Sequence, residues 1–347
     1  MITRRRLLGM AGGVGALAMS RARSGRAADL DEVKIGSPLV ISDAPFFIGE
    51  HKGYWKDQGL KVTLINMQTG PHMIAPLGTG QIDIAAAATS AGLYNAEARG
   101  IGLKIVADKG SNLPGYAYVS LLIRKELVDS GKFNTLKDLK GLKIAEPGKG
   151  GSTGATVAQA AKSAGLKYDD LNHVFLGFPE MLTGLQSGAI DGAIVPEPFL
   201  TFGIEKGIGV KFPSDAFYPR QTISIVLYGN QFMAKRGEVA HRFMLAYLKS
   251  ARFYNGAIKD GHFAGPNAAE LIDMLVKDTR YKDPALYKKV VPNGCDPDGH
   301  VYKPSLETDL AFWQEQKFIE GKASVDEVLD HSYVDAALKT LGPYKAS

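Results

Sequence analysis

The segment Gly80–Gly92 reads GQIDIAAAATSAG and the segment Gly188–Phe199 reads GAIDGAIVPEPF; both carry Gly-x-Ile-Asp-x-Ala, and they stand 108 residues apart. The likeness extends on both sides. Val33-Lys34-Ile35-Gly36 corresponds to Leu142-Lys143-Ile144-Ala145, and Gly100-Ile101-Gly102-Leu103-Lys104 to Gly207-Ile208-Gly209-Val210-Lys211. In each copy the phrase Gly-x-Ile-Asp reads as a helix ending at a glycine that takes the left-handed turn, then a short buried strand. The strands are expected from Ile82 to Ala86 and from Ile190 to Val195. Each half is thus a β-α-β-α-β-α-β run of about 80 residues, the pattern of a parallel sheet wrapped by helices. Asp83 and Asp191, at the strand starts, read as structural residues.

The first 28 residues, MITRRRLLGMAGGVGALAMSRARSGRAA, behave differently. Paired arginines precede a weakly apolar, Gly/Ala-rich run from Leu7 to Met19, shorter than the roughly 20 residues a bilayer requires. This reads as a secretory signal of the twin-arginine type, cleaved near Ala27 or Ala28. Its six arginines account for the basic excess, leaving 35 basic against 36 acidic side chains. The electrostatic footprint of a nucleic-acid binder therefore disappears with it. The lone Cys295 lies far from the cleavage point, so lipidation is not expected and a buried structural thiol is. The expectation is a periplasmic monomer without disulfides, long enough for two lobes.

Two β-like runs have no helix partner, Tyr116–Arg124 and Thr222–Tyr228. They bracket the second half and are expected to be hinge strands. Beyond them apolar residues recur at helical spacing from Gly237 to Ala257, from Ala268 to Val276 and from Leu306 to Glu320. With no further sheet to cover, this region is expected to pack on lobe 1. The expected organisation is an α/β fold with lobe 1 over residues 29–118 and 229–347 and lobe 2 over 119–228.

Several segments together resemble periplasmic substrate-binding proteins of ABC importers with the type II fold, in the group of sulfonate, taurine, nitrate and thiamine-pyrimidine binders. They are Pro45-Phe46-Phe47 ahead of Gly53-Tyr54-Trp55-Lys56-Asp57-Gln58-Gly59-Leu60, both Gly-x-Ile-Asp phrases, Leu136–Ile144, and Val325-Asp326-Glu327-Val328-Leu329-Asp330. The resemblance implies a solute-binding component that closes on a small organic molecule and delivers it to an inner-membrane permease with a cytoplasmic ATPase. It implies no enzymatic activity and no cofactor. The alternative is the pyrimidine-synthase branch of the same fold, which consumes an active-site histidine and needs a cysteine-rich motif; an export signal and one cysteine speak against it.

Open α/β sheets bind ligands beyond the carboxyl ends of their strands. That rule selects Asp43, Pro45 and Phe46 after the first strand, Thr69 and Gly70 after the second, and Thr89 and Ser90 after the third. From the second half it selects Gly151, Ser152 and Thr153 at a helix start, where free N–H groups suit an anion, and Glu197 and Pro198. Glu197 reads either as an acceptor for a ligand N–H or as a strut for its loop. Lys149 and Arg220 are further candidates for an anionic group. Phe47, Phe178, Phe217 and Tyr218 offer flat apolar surface near the mouth. The seven histidines lie apart, with no His-x-His or His-Glu-x-x-His, and Gly-x-Ser-x-Gly is absent. Asp296-Pro297-Asp298-Gly299 lacks the spacing of a calcium loop and reads as a turn.

Overall fold

A computed structural model of the chain describes residues 30–68 and 70–345. The segment read as a signal and the candidate Thr69 lie outside the described residues. Two five-stranded mixed sheets are built to one plan. The first comprises β1 (Asp31–Ser37), β2 (Leu60–Asn66), β3 (Ile84–Ala88), β4 (Lys104–Ser111) and β10 (Thr222–Tyr228), in the order β2-β1-β3-β10-β4. The second comprises β5 (Val119–Arg124), β6 (Lys143–Glu146), β7 (Asn172–Phe175), β8 (Gly192–Pro196) and β9 (Gly209–Phe212), in the order β7-β6-β8-β5-β9. In each sheet one antiparallel strand, β10 or β5, separates the third parallel strand from the last. These two strands are the expected hinge runs, and the chain crosses between lobes as it enters β5 and β10.

The repeated phrase has a common structural basis. Gly80 and Gly188 each have φ of 75°, a conformation that costs a residue with a Cβ. The strands start two residues later than expected, because each repeated aspartate is used before the ladder begins. Asp83 accepts the Lys34 N–H at 2.9 Å, and Asp191 accepts the Lys143 N–H at 3.0 Å. The two backbone N–H groups return the favour, donating to the carbonyls of Lys34 and Lys143 at 2.9 Å. Each carboxylate also pairs with an arginine, Asp83 with Arg236 and Asp191 with Arg124. One residue type thus fastens the third strand of each lobe to the first.

The C-terminal region is helical, as expected, and covers the first lobe with one addition. The Asn230–Asn255 helix breaks at Arg236 (φ −137°, ψ 36°), and its main body carries Phe243 and Tyr247 against Phe46 and Trp55. The Lys303–Glu315 helix instead bridges both lobes. Trp313 meets Tyr94 of the first lobe at 5.7 Å, and Phe312 sets its edge on Tyr168 of the second at 5.0 Å. Cys295 is a buried free thiol whose pKa burial raises. Asp296 closes the expected turn by accepting the Asp298 N–H at 2.9 Å.

Candidate functional site

The carboxyl ends of both sheets face one another, and a cavity of about 320 Å³ lies between them. Leu39 and Met67 follow β1 and β2; Phe178 and Phe199 follow β7 and β8; Arg280 comes from the C-terminal region. This volume is at the low end of small-molecule sites, which combine apolar walls with few polar groups. Leu39 has φ of 53°, a rare backbone region outside glycine. Arg280 stands 5.8 Å from the Phe199 ring centre, and no hydrogen bond or ion pair engages its guanidinium among the described residues. Asn66, Gln68 and Glu180 add polar groups to the lining.

Among the described residues singled out from the sequence, only Phe178 is in the lining of this cavity; several of the others lie where the two lobes meet. Ser90 and Gly151 make an antiparallel bridge across the lobes. The Ala91 N–H donates to Gly150 O and the Ser152 N–H to Thr89 O, both at 2.9 Å. The first N–H of the Ser152–Ser163 helix, read as an anion donor, is thereby occupied by a carbonyl of the facing lobe. Ser152 Oγ donates to Ile223 O at 3.1 Å. By contrast, Ser90 Oγ and Thr153 Oγ1 are buried with no hydrogen-bond partner, which is costly unless something else engages them. Gly70 precedes the Pro71–Gly78 helix with φ of 64°.

Several other selected residues are held within the protein. Asp43 is fully buried, pairs with Lys109 and accepts the Val40 N–H at 2.9 Å. Phe46 is packed among Trp55, Phe243 and Tyr247, with Pro45 buried beside it. Glu197, joined to Pro198 by a cis peptide bond, accepts from Thr201 N at 3.0 Å, Thr201 Oγ1 at 2.8 Å and Val291 N at 3.3 Å. Both its oxygens are engaged, the geometry of a strut joining lobe 2 to the C-terminal region. Burial pushes its pKa up to about 7. Phe217 and Phe47 pack against the core, and Tyr218 OH donates to Asp309 Oδ1 at 2.7 Å. Lys149 lies over Phe318.

The cavity is lined mostly by side chains that the sequence did not single out. Leu39, Met67 and Phe199 lie within a few residues of the strand ends, but Arg280 is carried by no repeat or motif. Among the described residues no group of three or more His, Cys, Asp or Glu is placed to hold a metal ion.

Two repeated lobes, two hinge strands and an interlobe cleft define the type II fold of periplasmic substrate-binding proteins. The chain belongs to the NMT1/THI5 like family, which it matches over residues 41–256. It is 26% identical over 334 residues to a putative aliphatic sulfonates-binding protein of Bacillus subtilis, covering 91% of each chain. It is 27% identical over 177 residues to the Escherichia coli protein of the same description, spanning about half of each (51% and 52%). Its fold is similar to that of the alkanesulfonate-binding protein of Xanthomonas axonopodis pv. citri bound to MOPS, with a TM-score of 0.67 and 16% identity over 88% of this chain and 99% of that one.

Proposed function

We propose that the protein is the periplasmic solute-binding component of an ABC importer, and that its cleft takes a small organic anion with an apolar body. The observation that carries this reading is Arg280, a guanidinium without a carboxylate partner among the described residues, set beside apolar walls. A planar fork of donors matches a sulfonate or carboxylate. Leu39, Met67, Phe178 and Phe199 then cover the remainder of the ligand. One guanidinium suits a singly charged head better than a phosphate. Alkyl or aryl sulfonates and aromatic carboxylates fit this inventory better than a pyrimidine. Opening the seam between Ser90 and Gly151 would also expose the unpartnered hydroxyls of Ser90 and Thr153 to ligand oxygens. The relatives described as binding aliphatic sulfonates support the same class. Closure on the ligand is then the signal a membrane permease with its ATPase reads.

A thermal-shift screen of alkyl sulfonates, taurine, aryl carboxylates and pyrimidines tests the assignment. A ligand at one hundred times its dissociation constant adds about 2.7 kcal/mol to folded-state stability. The expected result is a shift with sulfonates or carboxylates that Arg280→Gln removes. A shift confined to pyrimidines, or one unchanged in Arg280→Gln, would overturn it.

A further inference from the structure

A second cavity, of about 350 Å³, lies outside the cleft where the chain crosses between the lobes. Leu113 and Tyr116 line it from the crossing that leads into β5, and Arg220 from the crossing that leads into β10. Asn255, Asp296 and Tyr302 add polar and aromatic groups to a wall that also holds Asp108, Ser111, Asn293 and His300. The crossings are tied together, since the Asn112 N–H donates to Gln221 O at 2.8 Å. Gly294 joins the same knot through paired hydrogen bonds with Ser111, each 2.8 Å.

The groups left over in this cavity carry both signs of charge. The exposed Arg220 guanidinium stacks on Tyr302 at 4.1 Å and has no hydrogen bond or ion pair among the described residues. Stacking holds the plane and leaves the edge donors free. Arg220 also has φ of 58°, so its backbone is held in the left-handed region just before the hinge strand. Asp296 uses Oδ1 to accept the Asp298 and His300 N–H groups, which leaves Oδ2 without a donor. Asn255 spends its Nδ2 on Ala251 O and Cys295 O, each at 2.8 Å, and leaves its Oδ1 without a donor. One free cationic fork and two free acceptors share a wall with Leu113, Ile258 and Pro297.

We propose that this cavity is a second small-molecule site, specific for a zwitterion of the free α-amino-acid class, with the carboxylate on Arg220 and the ammonium on Asp296 Oδ2 and Asn255 Oδ1. An anion alone would leave the Asp296 carboxylate facing it, and a cation alone would face Arg220; a zwitterion satisfies both.

The test is a titration of ¹⁵N-labelled full chain with L-leucine and L-alanine, following the Asn255 side-chain amide, the Arg220 Nε and the Gly294 backbone. Acetate and ethylammonium serve as half-ligands. The expected result is saturable shifts at these groups with an amino acid in the millimolar range and at least tenfold weaker shifts with either half-ligand. Arg220→Gln, an exposed substitution, should weaken binding about tenfold or more, whereas Arg280→Gln should leave it intact. Absence of saturable shifts with both amino acids, equal binding of acetate alone, or binding unchanged in Arg220→Gln would each overturn the proposal. Shifts confined to Met67 and Phe178 would do so as well, by placing the amino acid in the cleft. Failure of the cleft assignment is read separately, from sulfonate and carboxylate binding in Arg280→Gln.

Discussion

Lys109 Nζ lies 2.6 Å from Asp43 Oδ1, and neither side chain has any solvent exposure. Lys109 belongs to β4 and also donates to Ser42 Oγ at 2.9 Å. Asp43 accepts the Val40 N–H, so the pair anchors the loop that presents Leu39 to the cleft. Removing one partner of such a pair strands the other charge in the interior, at a cost of about 3–5 kcal/mol. Lys109→Met and Asp43→Leu should each destabilise by that amount. The double variant should lose less than the sum, because no charge is stranded. Urea unfolding of the three variants measures the coupling; additive losses would show that the charges do not depend on each other.

Asp83 and Asp191 should behave as structural twins. Asp191→Ala removes a hydrogen bond to the Lys143 N–H and the ion pair with Arg124. A hydrogen bond to a charged group contributes about 1.5–3 kcal/mol, and the loss should fall in that range for Asp191→Ala and, through Lys34, for Asp83→Ala. Cleft affinity should change little in either. A large loss of affinity with unchanged stability in denaturant titrations would contradict this.

Three buried carboxyls give the protein a pH dependence opposite to that of salt-bridged acids. Burial pushes Asp108 and Glu197 up to about 7 and Asp309 up to about 8. Between the unfolded carboxyl range and these values the folded state holds protons that the unfolded state has released. Stability must then fall as pH rises from about 5 to 8, by about 1.4 kcal/mol per pH unit for each proton so held. For His173, burial lowers the pKa but the Glu146 hydrogen bond and charge outweigh it, so it acts in the same direction. Burial lowers His331, which opposes the trend. Midpoints of thermal unfolding across this range should decline towards alkaline pH, and Glu197→Gln should make the slope shallower by about one proton. A midpoint that rises across the range would refute the assignment.

Tyr281 joins the lobes through side chains alone. Its ring meets Phe199 edge-on at 5.4 Å and Phe202 at 5.0 Å, both on the Phe199–Glu205 helix of lobe 2. Each aromatic pair contributes about 0.5–1.5 kcal/mol beyond burial, and these pairs join the C-terminal region to lobe 2. Tyr281→Ala should therefore weaken a cleft ligand about tenfold and enlarge the unliganded radius of gyration in X-ray scattering. Unchanged affinity together with unchanged dimensions would mean that closure does not depend on this ring.

Much of the fold was legible because its determinants are local or repeat along the chain. A glycine at φ of 75° followed by Ile-Asp marks the same helix-to-strand step twice, and burial of alternating helices and strands follows from short apolar runs. The two partnerless strands signalled the crossings. Strand starts were misplaced by two residues because the aspartate hydrogen bonds that delay the ladder join Asp83 to Lys34 and Asp191 to Lys143, roughly fifty residues away.

The sequence by itself determined the two-lobed α/β plan, the hinge strands and the loops that face the cleft, since each follows from residues that are neighbours in the chain. Only the tertiary structure decided which side chains line the cleft. Leu39 and Arg280, 241 positions apart in the chain, line it together, Glu197 is claimed by Thr201 and Val291, and Ser90 is closed against Gly151. The physical reason is that these contacts depend on the angle at which two separately folded sheets come together, and nothing local in the chain encodes that angle.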